Sequence, residues 1–172
     1  IVAGGYRLLK IDTLDNRSIS DDVLGRLAAA VREVPADAVV FSDFRHGIFN
    51  RRTIPQLVAA IPAGRFRVAD SQVASRWGNI TERGVLTCRS ADHESLDSFV
   101  VVDSFVDRVV DAVGAGDALL AYATLAKLAT GSDAVASILG SIAAACECEV
   151  DGNVPVTPAD VRLAAEQWLR PE

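Results

Sequence analysis

Residues 38–43 read Ala-Val-Val-Phe-Ser-Asp, a short apolar run followed by a serine and an aspartate. A continuous apolar run of this length predicts a strand of a parallel sheet, buried on both faces. Helical patterns lie on either side of it: Ser20 caps one predicted helix, and Thr53 opens another. A further strand is predicted over residues 65–70. This alternation of strands and helices predicts an α/β fold.

The same alternation continues along the rest of the chain. The remaining predicted strands cover residues 6–12, 85–88 and 99–102, and the remaining helices cover residues 116–130, 132–148 and 158–169. Tyr122, Leu125 and Leu128 recur at helical spacing and are predicted to be core residues.

Two acids follow predicted strands of this sheet. Ligands of open α/β sheets bind where the strands end, so we expect Asp43, Asp70 and the turn at Gly114 along one edge. Acids at strand ends also serve as simple caps and turn residues. Both interpretations remain open at this point.

Composition excludes several classes of partner. The 172 residues carry a formal net charge of −6, which disfavours nucleic acid or an anionic membrane as the main partner. No apolar run approaches the roughly 20 residues that span a bilayer. A cytoplasmic location is therefore the default expectation. The sequence contains no methionine, and we expect it to be an incomplete chain.

The three cysteines do not form a disulfide framework, because their number is odd. Cys146 and Cys148 are two positions apart and so lack the Cys-x-x-Cys spacing of zinc and redox sites. We expect buried, inert thiols.

The motif that carries chemistry is Gly114-Ala115-Gly116-Asp117, just before a predicted helix. Two glycines allow a tight turn, and the first amides of the helix then point outward without partners. The helix dipole favours an anion at that point, such as a phosphoryl group, and Asp117 can accept a proton beside it. These two parts are what phosphoryl transfer requires. An ordinary strand-to-helix turn remains the open alternative.

Other nucleotide motifs fit this stretch poorly. A P-loop needs Gly-Lys-Ser/Thr after the glycines, whereas Asp117-Ala118-Leu119 stands here. A dinucleotide fingerprint needs glycine or alanine at the position of Leu119, which disfavours a dehydrogenase.

Residues 111–118, Asp-Ala-Val-Gly-Ala-Gly-Asp-Ala, resemble the C-terminal signature of the PfkB (ribokinase-like) carbohydrate kinases, usually Asp-Thr-x-Gly-Ala-Gly-Asp. Residues 41–47, 82–85 and 151–155 also look like segments of that family. Within it, the chain looks most like the kinase half of bifunctional heptose kinase/adenylyltransferases. The resemblance implies one ribokinase-like domain over residues 1–172, with a mostly parallel sheet and helices on both faces.

The resemblance also implies an activity: transfer of the ATP γ-phosphate to a hydroxyl of a sugar or sugar phosphate, with Mg²⁺ as cofactor. Asp117 matches the catalytic base of the family. The backbone N–H groups of the Gly114 turn, from Ala115, Gly116 and Asp117, match its anion hole.

Two further regions are implied by the same resemblance. Asp111 matches a residue linked to a monovalent cation such as K⁺, with carbonyls between Cys148 and Gly152 completing the site. Asp43 and Gly47 match a loop that faces the sugar or the metal. His46, between them, is a surface histidine or a substrate contact.

The chain departs from the family pattern at three places. Ala112 replaces the usual threonine, and the sugar-binding segment expected before Ile1 is missing from the sequence. A segment carrying an Asn-x-x-Glu motif is expected between Thr81 and Glu82. These departures keep open a non-catalytic protein of the same fold that binds a nucleotide or sugar phosphate. A homodimer is also left open.

Overall fold

A computed structural model of the chain describes residues 2–3, 6–7, 11, 13, 15–44, 46–71, 84–88, 102–152 and 154–168. The chain divides into two compact units, Ile1–Ala91 and Asp92–Glu172. Together they contain the mixture of strands and helices that the sequence predicts. One ribokinase-like domain over the whole chain stays a prediction.

The described part of the first unit contains a short hairpin, two helices and a sheet. These elements are β1 (Val2–Ala3), β2 (Tyr6–Arg7), α1 (Asp21–Glu33), β3 (Ala38–Asp43), α2 (Thr53–Ala60), β4 (Phe66–Ser71) and β5 (Gly84–Cys88). Strand β2 pairs with β1 antiparallel, Val2 opposite Arg7. The predicted strand over 6–12 is confirmed only at its start, because Ile11 lies outside any strand and residues 8–10 and 12 lie outside the described part.

The sheet of this unit is parallel, with strand order β3-β4-β5. Asp43 aligns with Ser71, and Ser71 aligns with Cys88, so the carboxyl ends of the three strands form one edge. The parallel strands predicted from the apolar runs are therefore confirmed.

The expected burial of β3 on both faces is wrong. Phe41 is buried in a core with Leu24 of α1 and Leu57 of α2, whereas Val40 is 42% exposed. Successive strand residues point to opposite faces, so Val40 lies on the face away from that core. Helices α1 and α2 both pack on the Phe41 face. Helices on both faces of the sheet stay a prediction.

Caps place the helices where the sequence predicts them. Ser20 Oγ accepts a hydrogen bond from Val23 N at 3.3 Å and starts α1. In the second unit, Ser132 Oγ accepts from Val135 N at 3.3 Å in the same way. Gly131, at φ 69°, ends the helix before it, because a left-handed residue stops a helix without steric cost when it is glycine.

The described part of the second unit contains three helices, α3 (Ala115–Thr130), α4 (Asp133–Cys148) and α5 (Pro158–Trp168). Its core centres on Ile142, Ala143 and Val161. Tyr122 of α3 donates to the carbonyl of Val156 at 3.0 Å and so ties α3 to the segment before α5. A predicted strand over 99–102 is not seen at Val102, and residues 99–101 lie outside the described part.

The prediction that Leu125 and Leu128 are core residues is wrong. They are 61% and 40% exposed, while Leu120 and Thr124 of the same helix are buried. Tyr122, which shares their spacing, is half-buried and packs against the core of this unit, so the prediction is confirmed for Tyr122. In the described ranges, no helix has both the length and the apolar character to cross a membrane.

Candidate functional site

The turn before α3 has the geometry that its glycines predict. Gly114 has φ 96° and ψ −19°, and the N–H of Ala115 reaches the carbonyl of Ala112 at 3.4 Å. These are the features of a type II turn, whose third position requires a positive φ and therefore favours glycine. The Gly114 carbonyl then accepts from Ala118 N at 3.0 Å, the first regular bond of the helix.

Two amides in the first turn of α3 remain available. Among the described residues, no acceptor is found for the N–H of Gly116 or of Asp117, whereas the N–H of Ala115 is engaged in the turn. The first N–H groups of a helix have no preceding helical turn whose carbonyls could accept from them. The helix dipole adds partial positive charge at the same end. The side chain of Asp117 is exposed in the same turn. The arrangement can bind an anion beside a carboxylate.

Asp111 lies next to the end of α4. The N–H groups of Val110 and Asp111 both donate to the carbonyl of Cys148, at 2.8 and 3.1 Å. Asp111 Oδ1 accepts from Val113 N at 3.1 Å and so helps to shape the turn. Gly152, at φ 85°, is the other predicted residue of this region, and its carbonyl accepts from Val154 N at 3.0 Å.

Glu147, which the sequence analysis missed, is the most buried acid of the described part of this unit. Its side chain is 3% exposed, and Oε1 is buried with no hydrogen-bond partner in the described structure. The signal was present in the sequence. Glu147 continues the row Ala136, Gly140 and Ala143 on α4, and all of these are buried. An acid at the end of an apolar row predicts a buried carboxylate.

Burial and nearby acids raise the pKa of both thiols near this site. Burial raises the pKa of Cys148, and the negative charges of Glu147, Glu149 and Asp111 raise it further. Burial likewise raises the pKa of the half-buried Cys146, with smaller effects from Asp160 and Glu149. Both thiols are free, and the buried thiol expected at Cys148 is confirmed.

At the sheet edge of the first unit, Asp43 is 6% exposed and Oδ2 accepts from Ser71 Oγ at 2.8 Å. Ser71 is also buried and was not singled out from the sequence. Asp70 is half-buried and aligns with Ser42 and Thr87, one position earlier in each strand. The two acids therefore lie on opposite faces of the sheet.

The loop after β3 is closely packed. Gly47 has φ 83°, and a side chain there would overlap the carbonyl oxygen of Arg17. His46 Nδ1 lies 3.3 Å from Asn16 Oδ1, and its ring stacks on Phe44 with centroids 6.5 Å apart. Gly47 is thus needed for loop packing, whatever else the loop does.

The Asp43 edge and the Gly114 turn belong to different units, so their common edge stays a prediction. Within the described ranges, no group of three or more His, Cys, Asp and Glu side chains is placed to hold a metal ion. Comparisons of the chain with protein families, with curated proteins and with solved structures found no match. Local geometry and the signature residues therefore carry the functional argument.

Proposed function

We propose that the chain is the kinase part of an ATP-dependent carbohydrate kinase of the ribokinase-like fold. The observation that carries the proposal is the start of α3, where the amides of Gly116 and Asp117 have no acceptor among the described residues and the Asp117 carboxylate is exposed beside them. The resemblance of residues 111–118 to the PfkB signature supports the same assignment.

The chemistry follows from these groups. The Asp117 carboxylate accepts the proton of the acceptor hydroxyl, and the hydroxyl oxygen forms a bond to the γ-phosphorus of ATP. The bond from that phosphorus to the bridging oxygen breaks, and ADP leaves with the electron pair. Meanwhile, the amides of Gly116 and Asp117 donate to the phosphoryl oxygens, where negative charge must be stabilised.

Two ions belong to the proposal. Magnesium would enter with ATP and would neutralise part of the phosphate charge. A monovalent cation, in the class of K⁺, would be held by Asp111 and carbonyls near Gly152. The buried carboxylate of Glu147 beside Cys148 fits a cation in that region.

The acceptor region of the proposal is the loop after β3. Asp43 and Gly47 would form one wall for a sugar or sugar phosphate, with His46 at its surface. Ser71 Oγ donates a hydrogen bond to Asp43 Oδ2 and so orients this carboxylate.

A second candidate function is non-catalytic binding of a nucleotide or sugar phosphate. Ala112 favours it, because this exposed residue offers no hydroxyl where the family signature has threonine. The amides of the Gly114 turn would serve a bound phosphate equally well without transfer.

The two candidates are separated by measuring ADP release from Mg-ATP with a panel of sugars and sugar phosphates. The kinase proposal expects one class of acceptor to stimulate ADP release, with one phosphorylated product formed per ADP. ATP binding by calorimetry without stimulation by any acceptor supports the binding role instead. Absence of ADP release, of ATP binding and of sugar-phosphate binding contradicts both candidates.

A further inference from the structure

The last residues of β3 and β4 form a buried polar pair at the carboxyl edge of the first sheet. Asp43 and Ser71 are aligned in the parallel ladder, and they are 6% and 2% exposed. Ser71 Oγ donates to Asp43 Oδ2 at 2.8 Å. The aligned pair before them on the same face, Phe41 and Ala69, is buried and apolar. The row therefore changes from apolar to polar at the point where the strands end.

The fold itself gains little stability from the Asp43–Ser71 pair. Burial takes a carboxylate and a hydroxyl out of water, and an apolar pair of similar volume is often at least as stable in such a place. What the pair provides is orientation, because the donated hydrogen bond favours one position of the carboxylate. A carboxylate fixed in this way, at the edge of a sheet where ligands bind, is suited to recognition.

The chemistry of a carboxylate decides which group it can recognise. An ionised carboxylate only accepts hydrogen bonds, and it can accept about four, so the bond from Ser71 uses part of that capacity. Its charge attracts a hydroxyl donor and repels a phosphate. The group of an acceptor that meets Asp43 is therefore a hydroxyl, and the phosphate of a sugar phosphate must bind elsewhere.

We propose that Ser71 is a positioning residue, which holds Asp43 in the orientation that accepts a hydrogen bond from a hydroxyl of the acceptor sugar. The inference deepens the proposed function and rests on it for the identity of the acceptor. Ser71 acts only through Asp43. Its hydroxyl therefore contributes to acceptor binding and contributes nothing to ATP binding.

Steady-state kinetics with the acceptor identified by ADP release test this role. Ser71→Ala should raise the acceptor KM about tenfold, the order expected for one hydrogen bond to a charged group, with kcat and the KM for ATP nearly unchanged. Ser71→Cys keeps the side-chain volume but offers only a weak donor, so it should resemble Ser71→Ala. Ser42→Ala is the matched control, because Ser42 lies one position before Asp43 on the opposite face of the sheet. It should leave all three constants unchanged.

A double-mutant cycle separates positioning from a merely structural role. If Ser71 acts through Asp43, Ser71→Ala in an Asp43→Ala background should change the acceptor KM by less than about twofold. An equal change in both backgrounds overturns the proposal, as does a wild-type acceptor KM in Ser71→Cys. Each variant is assayed at a temperature at which its melting curve shows it to be folded, so a loss of stability does not enter the comparison.

The outcomes for this inference and for the kinase assignment are distinguishable. If calorimetry detects a bound sugar but no ADP is released, the Kd of that sugar replaces the acceptor KM. A Kd that depends on Ser71 then supports the positioning role and contradicts the kinase. An active kinase with a normal acceptor KM in Ser71→Ala overturns the positioning role alone. A chain that binds no sugar overturns both.

Discussion

Gly47 shows how much a single position matters at the edge of the first sheet. Its φ of 83° lies in the left-handed region, and the loop approaches Arg17 so closely that no Cβ fits. Gly64, at φ 82°, has the same backbone conformation but open space around it. The two glycines therefore separate the cost of the backbone conformation from the cost of crowding.

We predict that Gly64→Ala lowers the free energy of unfolding by about 1 kcal/mol, the cost of a left-handed alanine. Gly47→Ala should lower it by at least about 2 kcal/mol more, because the loop must also move away from the Arg17 carbonyl. Urea unfolding of the two variants measures both changes. Equal losses would show that the loop yields freely and that its packing does not position Asp43 and His46.

At the scale of elements, Gly140 and Gly25 form a similar pair inside helices. Gly140 is the point where α4 touches α3, and a Cβ there meets the backbone of Leu119 at 3.0 Å. A Cβ placed on Gly25 in α1 would have no other atom within 4 Å.

We predict opposite signs for the alanine substitutions of these two glycines. Gly25→Ala should stabilise by about 0.5–1 kcal/mol, since alanine loses less backbone entropy in a helix. Gly140→Ala should destabilise by about 1–3 kcal/mol, because it forces α3 and α4 apart. Chemical denaturation measures both. Stabilisation by Gly140→Ala would contradict the close contact between α3 and α4.

Helix α5 begins with a reciprocal cap. Asp160 Oδ2 accepts from Thr157 N at 2.9 Å and from Thr157 Oγ1 at 2.6 Å, while Asp160 N donates to Thr157 Oγ1 at 3.3 Å. Thr157→Ala should therefore lower the free energy of unfolding by about 1 kcal/mol. The hydrogen bonds from the Thr157 side chain and backbone lower the pKa of Asp160.

The sign of the pH dependence follows from this lowered pKa. The unfolded chain binds the Asp160 proton more tightly than the folded chain does, so the cap's contribution is fully present above the ordinary carboxyl pKa. It is lost as the pH falls through the lowered pKa of the folded state. Stability curves of wild type and Asp160→Asn should converge in acid and separate towards neutral pH. Parallel curves would contradict this part of the account.

The positions of most elements could be predicted from the sequence because their signals are local. Ser20 and Ser132 cap helices through bonds to residues three positions on, and Gly131 stops a helix by its own conformation. Exposure could not be predicted in the same way. Val40, Leu125 and Leu128 are apolar and correctly spaced, but whether they are covered depends on neighbours that the periodic pattern does not name.

At the scale of the whole molecule, the candidate site could be predicted only in part. The Gly114 turn was predicted because glycine spacing and an acid at a helix start are local features. Ser71 and Glu147 were missed, since their positions depend on register and packing: Ser71 donates to Asp43 across two strands, and Glu147 lies on the buried face of α4. The sequence nevertheless carried one local signal for Glu147, because this acid continues an apolar row of α4.

The central claim is that Asp117 removes the proton of an acceptor hydroxyl while the first amides of α3 hold the phosphoryl group. The direct test is single-turnover transfer of the γ-phosphate from labelled ATP to the acceptor identified by ADP release. Asp133→Asn serves as the control, because Asp133 is also an exposed acid in the first turn of a helix and pairs only with Lys127 among the described residues.

We predict that Asp117→Asn lowers the transfer rate by about 10²–10⁴-fold, the usual worth of a general base, while ATP binding changes little. Asp133→Asn should transfer at close to the wild-type rate. An Asp117→Asn protein that transfers phosphate as fast as the wild type would contradict the account.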